Sequence, residues 1–144
     1  MYPNDGWRWL RPGLASGPLV GGNLGTLRSL AGTVYRPSFI GAILFWEEVK
    51  LESAPVHAID EALTHLGLLG VFDPLAGMVV GKIWGLSDAE HRQVDDLLLR
   101  HTASWDFPIL TFGHTDPRLI LPLGVRAALD AGADRFALEE AAVR

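Results

Sequence analysis

The 144-residue chain contains no cysteine. That absence removes disulfides, thiolate zinc sites, iron–sulfur clusters and cysteine nucleophiles together, and it fits a reducing compartment. Positive charge is scarce as well: 12 Lys and Arg stand against 17 Asp and Glu, a net of −5, and charged residues make up only 20% of the chain. A phosphate-backbone binder needs a basic face to release counterions, so no nucleic-acid partner is expected. Long hydrophobic runs are missing too. The most apolar stretches, Ala42 to Trp46 and Leu66 to Phe72, fall far short of the ~20 residues a membrane helix needs. The opening residues, Met1 to Gly6, lack the basic start and apolar run of a signal peptide. No membrane partner is expected, and the cytoplasm is the expected compartment.

What is present is a hydrophobic share of 49%, at the length of one domain with a real core. With 16 Gly and 9 Pro, the chain reads as short elements joined by many turns rather than a long-helix bundle. Residues 1–18 read as a turn-rich lead-in and interdomain edge, and residues 19–144 as a single domain. Trp7 and Trp9 alternate with polar neighbours, as in a short strand. They either cap this domain's core or form a surface for a neighbour.

Leu24, Leu27 and Leu30 mark one face of a short helix capped by Asn23 and ended by Gly32. Gly21, Gly22 and Gly25 match neither dinucleotide nor P-loop spacing, so they speak for tight backbone packing rather than phosphate binding. Gly41 to Glu48 reads as a buried strand, with Phe45 and Glu47 on one face and Trp46 and Glu48 on the other. A helix is expected over Ile59 to Leu69 on Ile59, Leu63 and Leu66, with Pro55 upstream of it. Gly77 to Trp84 is another strand. Ser87 with Glu90 has capping-box spacing and opens a helix whose expected buried stripe is Val94, Leu97 and Leu98, with His101 as a further candidate. Phe107 to Phe112 and Leu119 to Leu121 read as strands, Val125 to Asp130 as a strand or a helix, and the tail around Phe136 and Leu138 as a last strand or a frayed helix. The sum is a mixed α/β domain of short strands with two or three helices.

The acid–base inventory is five histidines and the carboxylates. His57, His65, His91 and His101 form no compact metal-ligand spacing, although a metal-dependent hydrolase on His57 and His65 is a conceivable alternative. His114 follows Gly113 directly after an apolar strand, and Asp116 is close enough to orient it or to start the turn before Pro117. Glu47 also stands at a strand end, where open sheets present working groups. Together they suggest a His–carboxylate pair, the acid fixing the imidazole tautomer while the histidine moves a proton. No G-x-S-x-G elbow supplies a nucleophile.

In order along the chain, Gly17-Pro18-Leu19-Val20-Gly21-Gly22-Asn23-Leu24, Gly32-Thr33, Ile43-Leu44-Phe45-Trp46-Glu47-Glu48, Phe112-Gly113-His114 and Leu121-Pro122-Leu123-Gly124 resemble the LD-carboxypeptidases. These serine peptidases include muramoyltetrapeptide carboxypeptidases and microcin C immunity peptidases. Gly70-Val71-Phe72-Asp73 and Gly113-His114-Thr115-Asp116-Pro117 lean toward the immunity branch. The resemblance covers almost all of this chain but only the C-terminal half of the family. It implies a swivelling β/β/α-type domain that contributes Glu47 and His114 to a Ser-His-Glu triad, with the serine on an N-terminal α/β domain. The implied partners are that serine-bearing domain, in the same or a separate chain, and a peptide-type small substrate. No metal or cofactor is implied.

Three positions depart from the family pattern: Glu48 where Asp is frequent, Glu61 where an arginine is typical, and His65 where a glutamine is. The segment between Glu47 and Ile59 is also a few residues longer, and these differences bear on substrate preference. Alone, the chain is expected to be nearly inert and to expose an interdomain face of ~600–1,500 Å², favouring a homodimer or capture of the N-terminal half. The alternative is a non-catalytic interaction module that reuses the fold.

Overall fold

The computed structural model describes residues 7–49, 54–112 and 120–143, apart from the side chains of residues 82 and 84. Among the described residues the elements run β1 (Trp7–Arg11), β2 (Leu14–Asn23), α1 (Leu24–Leu30), β3 (Ile43–Val49), α2 (Pro55–Leu68), β4 (Gly77–Trp84), α3 (Asp88–His101), β5 (Ile109–Phe112), β6 (Arg126–Asp130) and β7 (Arg135–Leu138). The strands form a 7-stranded sheet in the order β1-β5-β4-β3-β2-β6-β7. The centre, β2 to β5, is parallel, while β1 at one edge and β6 and β7 at the other are antiparallel.

The helices join successive parallel strands and pack on one face. Leu24 and Leu27 of α1, Ile59, Leu63 and Leu66 of α2, and Val94, Leu97 and Leu98 of α3 meet Leu44, Trp46, Met78 and Val80 from the sheet. Local sequence accounts for this placement. Ser87 accepts from the Glu90 N–H while the Glu90 carboxylate accepts from the Ser87 N–H, closing the expected capping box at the start of α3. The helix α2 begins at Pro55 rather than near Ile59, because proline at the first helical position lacks only an N–H that would have no partner there.

The opposite face is concave. Its core is Leu19, Ile43, Val79, Leu110, Ala127 and Leu129, fringed by Trp7, Trp9, Phe45, Phe112, Leu121 and Phe136. The curl originates in β2, which pairs with β6 through Leu14 to Pro18 and with β3 through Leu19 to Asn23. A strand that changes partners midway turns the corner of a sheet. The edges then meet through side chains: Trp7 packs against Phe112 and Phe136, and the Trp7 and Trp9 indoles both donate to Asp134 Oδ1, at 3.0 and 2.8 Å. Both tryptophans thus serve this domain's own core.

The segment expected to be a strand at Leu119 to Leu121 is not one where it is described. Ile120 is 92% exposed, and Leu121 reaches the concave core without strand pairing. The ambiguous stretches before and within the tail both resolve as strands, β6 and β7.

Candidate functional site

Two adjacent acids close β3, and the pleat sends them to opposite faces. Glu48 points to the helix side and is only 8% exposed. Its Oε1 accepts from Asn23 Nδ2 at 2.6 Å and from the Val49 N–H at 2.9 Å, and its Oε2 accepts from the Gly25 N–H at 3.0 Å. Asn23 in turn caps α1 by accepting from the Thr26 N–H at 3.1 Å. Glu48 therefore fastens the end of β3 to the start of α1, where the helix dipole favours a negative charge. Both of its oxygens are thus engaged by the fold.

Glu47 lies on the concave face with Phe45, half-buried at the carboxyl end of the parallel strands and beside Asn23 in the β2–β3 register. Among the described residues no hydrogen bond or ion pair engages its carboxylate. Close backbone approach brings β2 this near: a Cβ on Gly21 would lie 1.6 Å from the Phe45 carbonyl oxygen, so only glycine fits. Gly21 thus takes the packing role expected of these glycines, whereas a Cβ on Gly22 would meet nothing within 4 Å.

His114 lies outside the described residues. The other histidines do not join Glu47. His57 and His65 are exposed on α2, and His101 of α3 donates to Asp60 of α2 at 2.6 Å. Among the described residues no group of three His, Asp or Glu could hold a metal ion. A small cavity of about 30 Å³ is lined in part by Arg8, His91, Asp95 and Leu98, and Glu47 is not among its lining residues.

Period-two alternation in the sequence separates Glu47 from Glu48. It gives no hint that Asn23 and Gly25 occupy Glu48, because that contact depends on how β2 and β3 are registered.

The model of the LD-carboxypeptidase C-terminal domain matches residues 16–129. This chain belongs to the LD-carboxypeptidase family. The LD-carboxypeptidase domain is 32% identical over 124 residues to the microcin C7 self-immunity protein of Escherichia coli, covering 82% of this chain and 35% of that one. It is 31% identical over 140 residues to a Bacillus subtilis protein named "Probable murein peptide carboxypeptidase", covering 93% and 43%. The fold agrees with solved structures of MccF-like proteins. That from Bacillus anthracis gives a TM-score of 0.79 at 29% identity over 92% of this chain and 42% of the other. That from Streptococcus pneumoniae, in complex with AMP, gives 0.77 at 25% identity over 96% and 45%. The chain spans about two fifths of the length of the curated relatives it matches.

Proposed function

We infer that this LD-carboxypeptidase domain supplies Glu47 and His114 of a Ser-His-Glu triad whose serine is carried by an N-terminal domain. The reaction is hydrolysis of an amide near a free carboxylate, in a murein tetrapeptide or a microcin-type peptidyl-nucleotide. His114 takes the proton of the serine hydroxyl as it attacks the carbonyl and returns it to the leaving amine. Glu47 holds the imidazole tautomer and stabilises the imidazolium that forms between these steps.

The observation that carries this reading is the different use of the two acids on β3. Glu48 is spent on Asn23, Gly25 and Val49, whereas Glu47 keeps its carboxylate unengaged by described residues on the concave face. Family membership supports the triad chemistry, and similarity to a murein peptide carboxypeptidase and to a microcin C7 self-immunity protein supports the two substrate classes.

The test is D-alanine release from an L,D-tetrapeptide by the purified 144-residue chain, with and without a separately produced serine-bearing N-terminal half. Activity is expected only on mixing. Glu47→Gln in the mixed enzyme should lower turnover by a factor on the order of 10⁴, the scale seen when a triad carboxylate is neutralised elsewhere. Activity of the chain alone would overturn this account of the nucleophile, and full turnover by Glu47→Gln would remove Glu47 from the triad.

A further inference from the structure

The strand β4 departs from regular pairing beside Glu47. Trp46 is opposite Val80, yet Glu48 is opposite Ile83, so Gly81 and Lys82 together face the single residue Glu47. Such a bulge on one strand re-aims neighbouring side chains. Gly81 lies close beside the acid: a Cβ built there would lie 2.8 Å from Glu47 Cβ and 2.9 and 3.1 Å from Cε2 and Cζ of the Phe45 ring. Gly81 does not sit at positive φ, so the constraint is space rather than backbone conformation.

We propose that Gly81 is a positioning residue for Glu47, its missing side chain forming the notch that seats the base of the glutamate against β4. The proposal rests on the reading of Glu47 as the triad acid. A methyl group in the notch meets two different neighbours. On one side it meets the Cβ of Glu47, fixed to the β3 backbone. On the other it meets the outer edge of the Phe45 ring, the far end of a half-buried side chain that can turn aside. The Glu47 Cβ, by contrast, yields only with its backbone, so relief of that contact displaces Glu47 relative to β4. A displacement of about 1 Å in a catalytic group costs on the order of 10²-fold in rate.

The experiment compares Gly81→Ala, Glu47→Gln and the double variant, each in the enzyme reconstituted with a serine-bearing N-terminal half. Gly81→Ala should lower kcat about 10²-fold with KM little changed. It should also move the acid limb of kcat/KM to lower pH, because an imidazolium loses stabilisation as its carboxylate withdraws. A variant that is only partly folded would scale the rate without moving that limb. In the Glu47→Gln background Gly81→Ala should add little, since it acts through the acid already neutralised. A crystal structure of Gly81→Ala should show Glu47 Cβ displaced from its wild-type place.

If the alanine variant folds poorly, Phe45→Leu/Gly81→Ala relieves the ring contact and leaves only the Glu47 one. The loss relative to Phe45→Leu alone should persist. Wild-type kinetics in Gly81→Ala, an unmoved Glu47, or an undiminished effect in the Glu47→Gln background would each overturn the positioning role. Full activity of Glu47→Gln would instead sink the triad reading itself.

Discussion

Neighbouring glutamates on β3 show how one peptide step buries one acid in the fold and leaves the next on the concave face. Glu48 is buried and accepts from three nitrogens, of which Asn23 Nδ2 and the Gly25 N–H come from outside β3. Removing a buried acceptor leaves its donors unsatisfied at about 1–3 kcal/mol, more for charged groups. Glu48→Ala should therefore lower stability by roughly that amount and fray the start of α1. Glu47→Gln, which takes no hydrogen bond from a described residue, should stay within about ±0.5 kcal/mol. Urea titrations of the two variants check this. Equal losses would mean that Glu47 also holds the fold together.

At the scale of elements, α2 and α3 are joined across their exposed ends by Asp60, His101 and Arg100. The hydrogen bond from His101 holds the Asp60 carboxyl below its ordinary value of 3.8 against the opposing effect of burial, helped by the positive charges of His101 and Arg100. A carboxylate depressed in the folded state contributes stability that is complete above its unfolded value and lost as pH falls through its folded one. Asp60→Asn should thus melt lower than wild type near neutrality, with the gap closing below about pH 3.8. A gap that persists into strong acid would place the effect in packing.

The sequence made α3 legible because its signals are local: a cap at Ser87, a partner at Glu90, and a stripe at Val94, Leu97 and Leu98. The faces of β3 were legible for the same reason. The ten-residue β2 was not, since Gly17, Pro18, Gly21 and Gly22 look like turn residues until β6 and β3 are placed on either side. The roles of Asn23 and Gly81 beside the two acids were hidden likewise, because each depends on a neighbouring strand's register.

At the scale of the whole molecule, the sheet is closed by side chains rather than by backbone pairing. No described strand joins β1 to β7, and Asp134 spans the gap by accepting from both Trp7 and Trp9. Asp134 holds a φ of 46°, a left-handed conformation that Asp and Asn tolerate better than other side chains. Asp134→Asn keeps both the backbone preference and an oxygen acceptor, so it should remain within about 1 kcal/mol of wild type. Asp134→Ala loses both indole bonds, at ~0.5–1.5 kcal/mol each, and adds backbone strain. It should lower the denaturation midpoint and speed hydrogen exchange in β1, read by tryptophan fluorescence and by exchange mass spectrometry. Glu47 is carried by β3 in the middle of the sheet, between β2 and β4, so turnover in the reconstituted enzyme should survive the change. If the alanine and asparagine variants match wild type, the aromatic contacts of Trp7 with Phe112 and Phe136 close the curl unaided. If turnover falls along with β1 protection, the edges help hold the concave face on which Glu47 works.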